Sequence, residues 1–342
     1  MKKILFASTA LVMTAGFAAA QNANVAISGS ASMGIVNSDR DGTTTDAATG
    51  VTNRVAGDGA GVSGGTGGDT EFLQDVDVRF TMTGETDGGL AFGATVDLDE
   101  APNLGNERDD MGVTVFISGA FGTLTMGDTD GALDFALTEV GFSNGSINED
   151  ETSHAGWNGN SALDGTFGGQ VLRYDYTLDA FSFAISAEID DDDDDSDDSD
   201  PVLGIGARYE GSFGGGTVGF GIGYQASEVG DNDRDALGVS LNGSFGDFQA
   251  GISYLEVDFD GDDSSSYDHI GVGIGYNVGA ISLSANYGDY DYDDGDDSSG
   301  YGLTAGYDLG GGAVVRLGYG NSDVRGDGDD EESYSFGVSM AF

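Results

Sequence analysis

Apolar and polar residues alternate with a period of two along most of the chain. The alternation is regular over 218–224, 270–276 and 334–342, where Val, Ile, Phe, Tyr or Met occupies every second position. Strict alternation places the two sets of residues on opposite faces of a β-sheet. No helical period is sustained over a comparable length, so the sequence predicts an all-β chain.

Short glycine-rich turns and long acidic loops alternate as the connections between these segments. Seven short turns and eight long loops predict sixteen strands in an up-and-down antiparallel order. The short turns are predicted at 84–89, 119–122, 177–180, 211–216, 243–247, 277–280 and 308–312, and the long loops at 37–71, 98–109, 128–167, 189–200, 227–235, 258–267, 291–299 and 322–332. All the long loops therefore lie at one end of the strands.

The size of the sheet decides which of its faces meets water. Sixteen strands closed into a barrel enclose an interior that side chains cannot fill, so the interior is wet and the apolar face points outward into lipid. Aromatic residues in the apolar phase occur near both ends of the strands, Tyr224 and Tyr287 at one end, Tyr276 and Phe342 at the other. Two such girdles are typical of transmembrane barrels, so we predict a 16-stranded antiparallel up-and-down transmembrane β-barrel.

The first twenty residues have the organisation of a secretory signal peptide. Lys2 and Lys3 precede the apolar stretch 4–12, and small residues ending at Ala20 supply a cleavage site. A membrane anchor helix is the alternative, but the stretch is too short to span a bilayer. We expect 1–20 to be removed after export, which leaves 21–342 as a single barrel domain.

The charge of the chain is strongly negative. Asp and Glu number 61 against 11 Lys and Arg, which gives a formal net charge of −50. This balance excludes nucleic acid as a partner, because phosphate backbones require cationic contacts. The chain has no cysteine, which excludes disulfides and thiolate metal sites. Both lysines precede the predicted cleavage site, so arginine is the only permanent cation among the side chains of the exported domain.

Five arginines fall in or beside strands, in the phase opposite the apolar residues. They are Arg79, Arg108, Arg173, Arg208 and Arg316. An arginine that faces lipid at mid-depth costs about 2–4 kcal/mol, so we expect these side chains to form a basic wall lining the pore. The alternative is that they only neutralise inward acids such as Asp97 and Glu188.

The third long loop, 128–167, is the longest connection and is too long for a simple turn. Leu133, Leu137 and Val140 have the spacing of one helical face, which predicts a short helix docked by these residues. Folded into the barrel, the loop would hold carboxylates opposite the basic wall, and charged rings of this kind set ion preference. The predicted constriction acids are Asp128, Asp130, Asp134 and Glu139. The alternative is an external acidic flap.

Four segments carry a resemblance to a known family. They are VAISGSASMGI near the start, FGTLTMGDTDGA and EVGFSNG around the third loop, and YSFGVSMAF at the end. With the signal peptide, they resemble the general diffusion porins of Gram-negative bacteria, in particular the Rhodobacter-type porins of alphaproteobacteria. The resemblance implies an outer-membrane barrel, usually a homotrimer, whose third loop forms the constriction and whose acids face a basic cluster. The predicted exported domain departs from the pattern in its lack of lysine and its few arginines.

The last residue and the acidic loops indicate further partners. Phe342 resembles the terminal signal that the barrel-assembly machinery reads. The acidic loops are expected to stay solvated, because blocks of like charge repel. The alternative is that they bind Ca²⁺, a hard cation that prefers carboxylate oxygens, and bridge to lipopolysaccharide phosphates. Candidate ligands are Asp190, Asp194, Asp294 and Asp329.

The sequence contains no enzyme signature. His154 and His269 are far apart and lack a nucleophile motif. We therefore predict a passive channel for ions and small hydrophilic solutes that requires no cofactor. Cation preference is expected because the acidic loops raise the local cation concentration. The alternatives are a secreted Ca²⁺-binding adhesin or surface-layer protein, and a substrate-specific porin.

Overall fold

A computed structural model describes residues 11–12, 24–38, 70–98, 112–142, 145–147, 154–168, 170–189, 200–230, 232–262, 264–325 and 330–342. Sixteen antiparallel strands form a closed barrel, in which each strand pairs with its neighbours in the chain. The ring closes between the last strand and the first strand of the barrel, from Ser333 opposite Ser38 to Ala341 opposite Ser30. The predicted strand number and order are confirmed.

The barrel strands are numbered from β2, after a two-residue strand β1 (Leu11–Val12) that pairs with β2. They are β2 (Asn24–Ser38), β3 (Glu71–Glu85), β4 (Ala91–Asp97), β5 (Val113–Gly119), β6 (Gly122–Asp128), β7 (Gln170–Leu178), β8 (Phe181–Glu188), β9 (Val202–Phe213), β10 (Gly216–Val229), β11 (Asn232–Phe245), β12 (Phe248–Phe259), β13 (Tyr267–Val278), β14 (Ile281–Tyr292), β15 (Asp297–Gly310), β16 (Ala313–Asp323) and β17 (Glu331–Ala341). Because β2 pairs with both β17 and β3, the ring closes without β1.

The apolar phase of the strands faces outward. Leu241 and Phe336 each leave 50% of their surface exposed, whereas the neighbouring inward Ser335 is 1% exposed. Many other large apolar side chains share this outward exposure on β2 to β17. A band of this kind is stable in lipid, where the paired strands leave no backbone group without a partner. No helix among the described residues is long and apolar enough to cross a membrane.

The seven short turns lie where the alternation predicts them, but one predicted long loop is wrong. Over 227–235, β10 continues to Val229 and β11 begins at Asn232, so that Ser227 pairs with Arg234 and Glu228 with Asp233. The ladder continues because acidic side chains outside lipid remain in water while their backbone groups pair. In the same way, β14 and β15 extend into the predicted loop 291–299 and leave only 293–296 between them.

The inward face is not polar throughout, which corrects the simple two-face prediction. A cluster of buried apolar residues lies inside the barrel, with Val202, Ala236, Leu255 and Val257 on the wall. Leucines of the third loop complete this cluster, as described below. Apolar residues are therefore tolerated on the inner face where the loop excludes water from them.

Candidate constriction of the barrel

The third long loop folds into the barrel, as predicted. It follows β6 and contains one short helix, α1 (Ala132–Ala136), which packs against β8, β9 and β10. Leu133 is fully buried, and Leu137 and Val140 are nearly so. All three residues of the predicted helical face are thus docked, but α1 ends at Ala136, so Leu137 lies at its C-cap and Val140 lies beyond the helix. The inner cluster of the wall receives the two leucines.

Polar side chains of the wall hold the backbone of the loop. Serine hydroxyls accept hydrogen bonds from loop amides at three places, Ala132 to Ser186 (2.9 Å), Thr138 to Ser240 (3.0 Å) and Ala155 to Ser322 (2.9 Å). These contacts lie on β8, β11 and β16, so the loop follows the wall around much of the barrel. Backbone donors that would otherwise be buried without a partner are satisfied in this way.

Glu188 and Gln225 hold the returning arm of the loop. The two carboxylate oxygens of Glu188 accept hydrogen bonds from the amides of Gly165 (2.9 Å) and Phe167 (2.8 Å). The Gln225 side-chain oxygen accepts a hydrogen bond from the Leu163 amide at 3.0 Å, and its nitrogen donates to Asp164 at 2.6 Å. Both wall residues are almost completely buried. The loop is therefore fixed to the wall along both its outgoing and its returning arm.

Two predicted wall arginines contact the loop directly. Arg173 and Arg208 place their guanidinium carbons 4.7 and 4.4 Å from the centre of the Phe135 ring, a cation–π geometry. Arg173 also donates to the Asp130 carbonyl at 2.5 Å, and Arg208 to the Phe135 carbonyl at 3.2 Å. These arginines therefore anchor the helix.

The other predicted arginines have different surroundings. Arg316 on β16 donates to the Ser339 hydroxyl at 2.7 Å and to the Gly145 carbonyl of the loop at 3.4 Å. Arg79 on β3 forms an ion pair with Asp97, its direct partner on β4, and its side chain stays 52% exposed. Arg108 lies outside the described residues. Of the four predicted wall arginines that the structure describes, three thus touch the loop, and Arg79 pairs along the wall.

The loop acids differ from one another in exposure. Asp130 and Glu139 are exposed, whereas Asp134 is only partly accessible. Burial, followed by repulsion from Asp130 and Glu139, raises the pKa of Asp134 to about 8. Burial also raises the pKa of Asp164 to about 7, although the Gly131 amide and Gln225 donate hydrogen bonds to it. Near neutral pH, Asp134 and Asp164 therefore carry less negative charge than ordinary carboxylates do.

Asp128, the fourth predicted acid, has a different position at the end of β6. Its Oδ2 accepts a hydrogen bond from the Gly112 amide at 3.1 Å, just before β5. This contact ties the beginning of the loop to the adjacent strand connection. The structure therefore places Asp128 at the entry to the loop and groups Asp130, Asp134 and Glu139 around α1.

Arg325 connects three outer loops, and one of its partners is Asp294, a predicted calcium ligand. Arg325 forms ion pairs with Asp294 and with Asp296 (3.4 Å), donates to the Ser264 carbonyl (2.7 Å), and lies 4.3 Å from the centre of the Tyr292 ring. Asp294 is thus engaged by a cation of the chain itself. Asp190, Asp194 and Asp329 lie outside the described residues, and the part of the chain that is described contains no group of acids and histidines arranged to hold a metal ion.

Several residues of the constriction carry no obvious sequence signal. Phe135 stacks with two arginines, and Glu188 and Gln225 bind the loop, yet none belongs to a recognisable motif. The inward glycines do carry one, because Gly219, Gly221 and Gly223 alternate with large apolar residues. That alternation marks an inner face without side chains, which a closely packed segment can occupy.

Comparison with known proteins identifies relatives along nearly the whole chain. The family described as Gram-negative porin matches residues 7–329. A porin of Rhodobacter capsulatus is 32% identical over 208 residues, which is 57% of this chain and 64% of that relative, slightly less than two thirds of its length. A porin structure refined at 1.8 Å resolution covers 93% of this chain and all of its own, with 26% identity and a TM-score of 0.68.

More distant structures share the fold alone. An anion-selective porin from Comamonas acidovorans is 15% identical, with a TM-score of 0.60. The trimer form of OmpT, an outer-membrane protein of Vibrio cholerae, is also 15% identical, with a TM-score of 0.59. Each covers 94% of this chain and 100% of its own. An anion-selective porin therefore shares this fold, so the fold alone does not determine whether cations or anions are preferred.

Proposed function

This chain belongs to the Gram-negative porin family, and on that premise we propose that it forms a water-filled channel for passive diffusion of ions and small hydrophilic solutes. The family and the barrel fold place it in the outer membrane and set it apart from enzymes. The outward apolar band and the inward loop support a channel narrowed by the third loop. The same band argues against the secreted, water-soluble adhesin.

We propose that the channel prefers cations, and one observation carries this proposal. Where the loop meets the wall, the Asp130 side chain is 65% exposed, whereas the Arg173 side chain beside it is 12% exposed. An ion in the lumen therefore meets the carboxylate rather than the guanidinium. Glu139 adds a second exposed carboxylate on the same loop, and charged groups lining a pore select ions by sign.

Reversal potentials in a KCl gradient across a planar bilayer test the preference. We expect a cation-selective potential in the unmodified protein and a smaller one in the double variant Asp130→Asn, Glu139→Gln. Asp247→Asn is the matched control, because Asp247 is an exposed acid in the short turn between β11 and β12. An anion-selective potential in the unmodified protein would overturn the proposal.

Liposome swelling with neutral sugars of increasing size separates a general porin from a substrate-specific one. A general porin gives rates that fall smoothly with solute size. Saturation, or block of conductance by one solute, would support the substrate-specific alternative. Because the lumen is hydrophilic and lined by many small residues, we expect the smooth dependence.

The remaining partners are proposals drawn from the family. We propose a homotrimer, as in the trimeric OmpT form, a signal peptide over 1–20, and recognition of the last strand by the barrel-assembly machinery. Phe342 supports the last point, since it is 67% exposed and its amide donates to the Gly29 carbonyl at 2.9 Å, at the seam of the barrel. Contact of the acidic loops with lipopolysaccharide through Ca²⁺ is proposed on composition alone.

A further inference from the structure

The third loop lies directly on the backbone of the wall at a row of glycines. We call this row the glycine track; it consists of Gly206, Gly221, Gly223, Gly271, Gly273 and Gly288. A Cβ at Gly223 would lie 2.6 Å from the Leu133 Cα, closer than real Cβ atoms approach other heavy atoms. The track runs over β9, β10, β13 and β14, so it supports both arms of the loop.

At four positions of the track the obstacle is a carbonyl oxygen of the loop backbone. A Cβ at Gly206 or Gly221 would overlap the carbonyl oxygen of Ala132 or Ala136, at the two ends of α1. At Gly273 and Gly288 it would overlap those of Val140 and Gly156. No rotation of a side chain relieves such an overlap, so the loop or the strand has to move.

Backbone lies directly against backbone where Gly156 crosses β14 and β15. A Cβ on Gly156 itself would overlap the Gly288 carbonyl and lie 2.7 Å from the Gly300 amide nitrogen. The buried His269 ring places Nε2 2.9 Å from the Gly156 carbonyl oxygen, which fixes the crossing. Glycine is therefore required on both sides of this contact.

We propose that the glycine track positions the third loop and thereby sets the aperture of the channel. Side chains on the track would push the loop away from the wall and into the lumen. The barrel would then keep its shape, but the open cross-section of the channel would become smaller. This inference rests on the proposed function, since it takes the third loop to be the narrowest part of the path.

Single-channel conductance and the fluorescence of Trp157 test the proposal together. Trp157 is the single tryptophan of the chain and directly follows Gly156, so its emission reports the seating of the loop. In Gly221→Ala and Gly288→Ala, we expect reduced conductance, a lower size limit in liposome swelling, and increased quenching of Trp157 by acrylamide. Gly159→Ala is the control, because a methyl group there lies 3.9 Å from its nearest neighbour, the Glu139 carboxylate.

A second pair of variants covers the case in which the backbone clashes prevent folding. At Gly238 on β11, outside the glycine track, an added Cβ would meet the flexible end of the Leu137 side chain, which can shift at lower cost than backbone and which Leu137→Ala removes. We expect Gly238→Ala to reduce conductance less than the track variants do, and to have little further effect in the Leu137→Ala background. Heat-modifiable migration on gels confirms a folded barrel in each case.

The two readouts separate failure of this inference from failure of the proposed function. Unchanged quenching and unchanged conductance in the folded track variants would overturn the inference. Increased quenching with unchanged conductance would show that the loop moves but is not the constriction, which would overturn the proposed function of the loop. Equal effects of Gly238→Ala in both Leu137 backgrounds would also overturn the inference.

Discussion

Two parts of the inner wall differ in their surroundings: the third loop covers one, the covered part, and water contacts the other, the open part. From β8 to β16, glycines and serines of the wall lie beneath the third loop, and larger polar side chains there, such as Glu188 and Arg208, bind the loop, whereas β3 and β4 carry the Arg79–Asp97 ion pair. Both parts follow the same alternation, so the inward phase does not by itself determine whether a face is wet. What differs is whether the inward residues leave room for the loop and bind it. Glycines permit a second layer of chain, the large polar residues beneath that layer bond to its backbone, and the half-exposed Arg79 stays in contact with water.

The largest effect is expected from a change that weakens the contact between the third loop and the covered part of the wall. Leu133→Ala removes a fully buried side chain between α1 and the wall, which should cost the seated loop about 2–5 kcal/mol. We expect a noisier single-channel current and increased quenching of Trp157. Leu309→Ala is the control, since Leu309 is 57% exposed on the outside. A quiet channel with unchanged quenching would mean that the polar anchors alone hold the loop.

A smaller effect should follow from a change of pH, through two acids of the third loop. Asp134 and Asp164 have pKa values raised to about 8 and about 7, so both gain charge as pH rises through 7 to 8. Cation preference should therefore increase between about pH 6 and 9 in bilayer reversal potentials. The raised pKa values also mean that the seated loop binds protons more tightly than a released one. Its stability is therefore greatest at low pH and falls as pH rises from the ordinary carboxyl range to about 8.

The variant Asp134→Asn isolates this titration. It should reduce the pH response between about pH 6 and 9 and leave the part that comes from Asp164. Asp247→Asn, in a short turn away from the loop, should leave the whole profile unchanged. An identical profile in Asp134→Asn would assign the pH response to other groups.

The smallest effect is expected from a substitution in the open part of the wall, at the Arg79–Asp97 ion pair on β3 and β4. Arg79→Gln removes the guanidinium opposite the buried Asp97, at a cost of about 1–2 kcal/mol, because solvent already screens the half-exposed Arg79. The variant should raise cation preference slightly, since the wall becomes more negative. Arg79→Lys should retain the unmodified reversal potential. A shift toward anions would contradict an aqueous position for this pair.

Alternation predicts which residues face lipid, and this part of the fold follows from the sequence. The strand number and the docking of α1 through Leu133 and Leu137 are local patterns and can be predicted. The contacts of Arg173 and Arg208 with Phe135 could not be predicted, because they join residues far apart in the chain. The extension of β10 and β11 across an acidic segment could not be predicted for another reason, since a run of acidic residues indicates a loop even where the backbone continues to pair.

The path of the third loop has a consequence for the order of assembly. Its backbone hydrogen-bonds to Ser186 on β8 and to Ser322 on β16, and Ile147 reaches Gly34 and Gly337 at the seam between the first and last strands. Two of these four partners lie near the carboxyl end of the chain. The loop can therefore make all of its contacts with the wall only once the carboxyl-terminal strands have joined the sheet. The constriction is thus completed late in assembly. An incompletely assembled barrel would be more permeable to ions and solutes than the finished one.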